Sequence, residues 1–217
     1  LPPVTDSYGS WASGMHTLSL NIPESERCYW NEIEALPCAA PLAPRPAKYQ
    51  HLDRIEQRFS LSENVTKALL TNAHDAYGTR INDLLLTSLG RAMGIWSGTP
   101  RWRVLLESHG REPLWPGADV SRTVGWFTAS YPVVIDFEGI NMLDIGRQIK
   151  AVKEMLRNIP QAGSSYEASR YLARDRSPER EPSDIAFNYL GQLGQDLHAG
   201  SWRWIDETPG MMISEDA

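Results

Sequence analysis

The sequence predicts an α/β fold, a mixed β-sheet flanked by helices. Three observations carry this. Segments with helical apolar spacing alternate with short runs rich in β-branched and aromatic residues. No glycine-rich phosphate loop follows a strand, and the spacing does not impose a doubly wound parallel sheet. The 217 residues, 41% hydrophobic and 22% charged, are enough to bury a core without disulfide staples.

The elements follow in chain order. Residues 1–36 read as two short helices. Asp6 or Ser7 caps the first, with Trp11, Met15 and Leu18 on its apolar stripe. Ser25 caps the second, with Tyr29, Trp30 and Ile33 on its stripe. Residues 37–50 hold four prolines, which forbid helix and central strand alike. They read as an extended crossing segment, so the expected division is 1–50, helices and crossing, and 51–217, the main subdomain.

Residues 51–60 alternate like a strand through Leu52, Ile55, Gln57 and Phe59. Ser62 opens a helix with Val65, Leu69 and Leu70. Thr79 opens another, with Ile81, Leu84, Leu85, Leu89, Met93 and Trp96 near one face and Gly98 as its stop. Its composition suggests burial around most of its circumference. Residues 101–109 read as a strand ending in a polar turn, and 123–136 as a second strand whose Pro132 marks an edge, a bulge or a break. Asn141 caps an amphipathic helix carrying Leu143, Ile145, Ile149, Val152, Leu156 and Ile159, ended by Pro160. Residues 174–184 are a charged loop. Residues 185–191 are a short buried strand running into a glycine turn, and Trp202 and Trp204 mark one last strand.

Charge and composition exclude several classes. With 21 Lys+Arg against 27 Asp+Glu, the net charge of −6 lacks the basic footprint that nucleic acid or an anionic membrane requires. No apolar run is long enough to span a bilayer. Cys28 and Cys38 read as free thiols of a cytoplasmic protein. The five histidines are scattered, with no metal-ligand spacing.

Two polar clusters carry chemistry. LESHGRE, residues 106–112, ends an apolar strand with Glu107, His109, Arg111 and Glu112 crowded together. The charges either pair among themselves, or the carboxylate sits desolvated at the mouth of a core, poised as a proton shuttle. FNYLGQ, residues 187–192, places Asn188 between two aromatics. It is either a satisfied structural amide or a group aimed at a ligand.

LESHGRE, DVSRTVGWFTASYPV and IAFNYLGQ occur in that order, with INDLLLTSL at 81–89 and Trp30 upstream. Together they resemble the epimerization domains of nonribosomal peptide synthetases, relatives of condensation domains with a chloramphenicol-acetyltransferase-like fold. The resemblance implies that Glu107 is a catalytic acid/base and that Asn188 lies at the active-site tunnel, a candidate donor to an enolate oxygen. It places Ser108, His109, Thr128 and Tyr189 along the substrate path. The implied reaction inverts the α-carbon of an aminoacyl or peptidyl thioester. The substrate hangs on the phosphopantetheine arm of a peptidyl carrier protein, and the chain itself needs no metal or other cofactor.

Three departures stand out. Ser108 replaces the first glycine of the family's EGHGRE, and is expected to strain or narrow the site if that glycine uses a positive φ or permits close ligand approach. Ser165 and Glu167 stand where PxxGxGYG has glycines. The family's HHxxxDG is absent, and the chain begins at Leu1, so it is expected to be the C-terminal half of a domain whose N-terminal half supplies a histidine. His109 either orients Glu107 or pairs with Glu112, and Arg111 with Glu112 reads as a stabilising pair. The competing readings are a condensation domain, which forms the peptide bond, and a module that docks carrier protein without catalysis.

Overall fold

The computed structural model describes residues 4–38, 55–173, 183 and 185–191. The chain runs α1 (Tyr8–Leu20), α2 (Glu24–Ala35), α3 (Glu63–Leu70), α4 (Asn72–Asp75), α5 (Ile81–Ser97), β1 (Arg101–Ser108), β2 (Ala129–Asp136), α6 (Ile145–Arg157), a 3₁₀ turn (Pro160–Gly163), α7 (Ser164–Glu167), a π-helical turn (Ala168–Leu172) and β3 (Ile185–Phe187). The expected mixed sheet flanked by helices is present. Its order is β2-β1-β3. β1 pairs antiparallel with β2, from Arg101 opposite Asp136 to Ser108 opposite Ala129. It pairs parallel with β3, Leu106 opposite Phe187, and a parallel partner needs a long crossover. Residues 109–184 supply that crossover.

The core forms where one face of the β1–β2 pair meets the helices. Val104 and Leu106 of β1 and Tyr131, Val133 and Ile135 of β2 join Trp30 of α2, Leu86 of α5, Val152 of α6 and Tyr166 of α7. Alternate strand residues share a face, so the antiparallel register stacks Val104 on Val133. Trp30 is 3% exposed and its indole N–H donates to Ser165 Oγ at 2.9 Å. Burying roughly 200 Å² of aromatic surface contributes on the order of 5 kcal/mol, and the hydrogen bond removes the cost of hiding the donor. Arg103 reaches from β1 to the end of α2, donating to the carbonyls of Glu34 at 2.9 Å and Leu36 at 3.0 Å. A cation is favoured there because helix C-terminal carbonyls are unpaired and carry partial negative charge.

Several caps fall where the sequence put them. Ser7 Oγ accepts from Ser10 N–H, Ser62 caps α3, and Gly98 ends α5 at φ 73°. Others moved. α2 is preceded by Pro23, not capped by Ser25; the fixed proline φ and the acidic Glu24 and Glu26 of the first turn favour the start without a side-chain cap. Thr79 is occupied with His74, and α5 starts at Ile81 with Asp83 accepting from Arg80 N–H at 2.7 Å. Asn141 accepts from Leu143 N–H in a local turn, which leaves Asp144 to cap α6.

The buried side of α5 is Asp83, Leu84, Leu86, Thr87 and Gly90. Ile81, Leu85, Leu89 and Met93 are half-buried and Trp96 is exposed, so the helix is not buried around most of its circumference. Gly90 sets the face, since a Cβ there would come within 2.6 Å of Ile135 Cγ2. In α6, Ile149 and Val152 are buried and Leu156 and Ile159 half-buried, but Leu143, ahead of the helix, is exposed, as is Ile145 in its first turn. Residues 55–60 form no strand, with Ile55 83% and Phe59 89% exposed. Alternation alone does not make a strand without a partner edge, and none of the described strands offers one there. β2 starts at Ala129, not at 123, because the 120–126 segment is tied to other groups. Pro132 sits where an edge strand tolerates it, since among the described strands β2 pairs only with β1. β3 is half-buried, not buried, because it lies at the opposite edge. Residues 39–54 of the crossing segment and first strand, 174–182 and 184 of the charged loop, and the Trp202–Trp204 strand lie outside the described residues.

Candidate active site

The parallel register of β1 and β3 builds the site. Pairing Leu106 with Phe187 lays the next residues, Glu107 and Asn188, side by side as the two strands end. Asn188 Nδ2 donates to Glu107 Oε2 at 2.6 Å, across 81 residues of sequence. Both side chains border a cleft of about 530 Å³. Glu107, Ser108, His109, Thr128, Asn188 and Tyr189 all line it, so the structure brings every sequence-chosen site residue to one cleft. A second cavity of about 560 Å³ shares Arg80, Asn82, Tyr131, Leu156 and Tyr189 with the first, so the two are adjacent.

Four of those shared residues escaped the sequence reading. Arg80 and Asn82 lie at the start of α5, where a buried helix was expected, and nothing local separates a cleft-lining polar residue from a solvated one. Tyr131 and Leu156 fit the core pattern of their elements, and that pattern cannot tell a core wall from a cavity wall. Asn82 and Tyr131 do fall within INDLLLTSL and DVSRTVGWFTASYPV, but those motifs carry the resemblance without giving either residue a role.

Glu107 is exposed and not sunk into the core, so the desolvation invoked for a proton shuttle is not supplied by the described residues. The acid nonetheless stands in the crevice beside Phe187–Tyr189. Asn188 is also exposed, and its amide is satisfied by that carboxylate. His109 pairs with Glu112, Nε2 to Oε1 3.5 Å, and its Nδ1 accepts from Arg111 N–H. Arg111 does not pair with Glu112. Its guanidinium donates to the carbonyls of Val120 and Thr123 and lies 4.1 Å over the Phe127 ring, which anchors the segment leading to Thr128. Val124 and Trp126 of that segment are exposed, while Phe127 is buried.

The glycine departures are resolved by packing. Ser108 has no positive φ and lies within β1, so the expected strain is absent. The glycine that the motif cannot lose is Gly110, at φ 62°, where a Cβ would fall 1.5 Å from the Phe127 carbonyl oxygen. Ser165 is fully buried and receives the Trp30 indole. Glu167 Oε1 accepts from Ser130 N–H at 2.7 Å, holding β2 where it faces Glu107. Gln161 and Ala162, with φ 44° and 48°, carry a left-handed turn that costs about 1–2 kcal/mol per non-glycine residue.

Burial pushes the Glu167 carboxyl up, against the opposing pull of the Ser130 N–H. A carboxyl raised on folding contributes stability that is complete below its unfolded value and is lost as pH rises through the folded one. Glu167→Gln is therefore expected to flatten the pH dependence of thermal unfolding just above the ordinary carboxylate range. A variant keeping the wild-type slope there would refute this. Burial likewise raises the Tyr131 phenol, opposed by a hydrogen bond with Ser108. Among the described residues, no helix is long and apolar enough to cross a membrane.

The Condensation domain family matches residues 1–211. The chain is 37% identical to a plipastatin synthase polypeptide of Bacillus subtilis (strain 168), over 99% of its own length and 9% of that polypeptide. It is 39% identical to bacitracin synthase 2 of Bacillus licheniformis, over 97% of its own length and 8% of that synthase. It therefore spans less than a tenth of either synthase. Among solved structures, the epimerization domain from the third module of tyrocidine synthetase B superimposes with a TM-score of 0.77 at 37% identity, covering 89% of this chain and 45% of that one. The family match covers nearly the whole length, and the chain belongs to the condensation-domain family of nonribosomal peptide synthetases.

Proposed function

We propose that this chain supplies half of the active site of an epimerization domain, which inverts the α-carbon of an aminoacyl or peptidyl thioester presented on the phosphopantetheine arm of a carrier protein. The observation that carries the reading is the Glu107–Asn188 hydrogen bond in a cleft next to open space. The similarity to a solved epimerization domain supports it.

The chemistry follows from the thioester. Its carbonyl acidifies the α-hydrogen because the anion left behind is an enolate. Glu107 takes that proton, and the C–H electron pair moves into the enolate. A proton returned to the opposite face of the α-carbon gives the other isomer, and the electron pair re-forms a C–H bond. Asn188 has two amide hydrogens; one holds Glu107 in place and the other is free to face an enolate oxygen, where fixed donors stabilise developing charge. A group on the opposite face completes the reaction, and we assign it to the N-terminal half, as the resemblance implies. The cleft of about 530 Å³ offers room for a slender acyl arm. Phosphopantetheine is then part of the partner's substrate, and the protein acts in the cytoplasm, where carrier-borne synthesis proceeds.

Membership of the condensation-domain family favours a second reading, peptide-bond formation. The intact domain with L-aminoacyl-loaded carrier protein in D₂O separates them. Deuterium entering the α-carbon together with D-isomer is the expected result. Dipeptide without exchange would establish condensation, and carrier binding with neither product would leave a docking module.

A further inference from the structure

Ser108 stands at a junction. Its side chain leaves the buried face of β1, the face of Val104 and Leu106. The hydroxyl donates to the Ala162 carbonyl at 3.1 Å. Tyr131 lines both cavities, Ser108 the first and Ala162 the second. The next residue, Gly163, lies so close to Tyr131 that a Cβ would fall 1.8 Å from its Cδ1.

The turn that Ser108 grips is unfavourable. Gln161 and Ala162 are the only non-glycine residues at positive φ among those described, and such conformations persist only where the surroundings over-determine them. Two polar ties do so here. Gln161 Nε2 donates to the Glu26 carboxylate of α2 at 2.9 Å on the outer side, and Ser108 bonds to Ala162 on the inner side. Only the inner tie borders the cleft that holds Glu107.

We infer that the Ser108 hydroxyl is a specificity determinant, holding the Gln161–Gly163 turn and the Tyr131 ring in a narrow setting that limits the size of the α-substituent accepted beside Glu107. The inference rests on the proposed acyl substrate in this cleft. Alanine at position 108 removes the hydrogen bond to Ala162 and keeps the Cβ; glycine removes both. In either variant the turn loses its inner tie and the tyrosine gains room.

The test compares α-hydrogen exchange by the intact domain on carrier protein loaded with L-alanine and with L-phenylalanine. The phenylalanine-to-alanine ratio of kcat/KM is expected to rise roughly tenfold in both Ser108→Ala and Ser108→Gly, the scale of a methylene-sized change in an apolar pocket. Exchange by the wild type with an unchanged ratio in both variants overturns this inference and leaves the proposed function standing. A rise in the glycine variant alone overturns it too, because volume and not the hydroxyl would then set the width. No exchange by the wild type on either substrate overturns the proposed function, and the inference with it. Should either variant fail to fold, Ser108→Thr keeps the hydroxyl and adds a methyl to the wall. Its ratio is expected to stay at or below the wild-type value, and a rise would overturn the inference.

Discussion

Glu107→Gln in the intact domain is expected to abolish exchange of the substrate α-hydrogen while leaving carrier-protein binding unchanged. A positioned acid or base contributes about 10²–10⁴-fold to a proton transfer, so the loss should reach about three orders of magnitude. The substitution isolates the proton. Glutamine has the length and planarity of glutamate, and its carbonyl can still accept the hydrogen bond from Asn188 Nδ2 that the carboxylate accepts at 2.6 Å. The side chain is exposed at the end of β1, so nothing in the core feels the change and stability should move by less than about 0.5 kcal/mol. Undiminished deuterium incorporation in the glutamine variant would falsify the assignment. A joint loss of exchange and carrier binding would place Glu107 in docking instead of proton transfer.

Gly110→Ala is expected to cost about 2–5 kcal/mol of stability, read as a shift in the denaturant midpoint at constant slope. The left-handed φ accounts for about 1–2 kcal/mol, and overpacking against an immovable neighbour for a further 1–3 kcal/mol. The neighbour is backbone: the new Cβ would sit 1.5 Å from the Phe127 carbonyl oxygen and 2.6 Å from its carbon. No rotamer relieves that contact. Against a typical domain stability of about 5–15 kcal/mol, this removes a large share of the margin, and the forced shift displaces Thr128 at the cleft wall. Gly117→Ala is the matched control. Its φ is 84° but open space surrounds it, so only the conformational penalty of about 1–2 kcal/mol remains. Equal midpoints for the two variants would show that close approach at Gly110 carries no energy.

The two predictions mark the two kinds of residue in ESHGRE. Glu107 stood out as a carboxylate ending an apolar strand, but the residues alone left it open between a self-paired charge and a proton shuttle, and its role came from the resemblance. Gly110 did not stand out, because a glycine's need for space is set by whatever packs against it. The sequence reading looked for the important glycine at position 108, where the chain carries serine, and the structure puts the requirement two residues later. Arg111 shows the same limit. Beside Glu112 it reads as half of a local ion pair, yet its donors satisfy the carbonyls of Val120 and Thr123, which lie next to it only after the chain has turned. Ser165 and Glu167 read as losses from a glycine motif, but each satisfies a donor, the buried Trp30 indole and the half-buried Ser130 amide.

What the residues determined by themselves is local and periodic. Apolar spacing decided that α1, α2, α5 and α6 are helices, β-branched runs decided β1 and β2, and Ser7, Ser62 and Gly98 marked ends, because a cap or a stripe depends on neighbours within one or two turns. Which polar residues face each other is another matter. The contact of Glu107 with Asn188, the tie of Ser108 to the 161–163 turn, and the loss of any strand at 55–60 depend on which strand lies beside which, and in what register. That is chosen by burial of the whole sheet against its helices, a sum over distant parts of the chain that no local window contains.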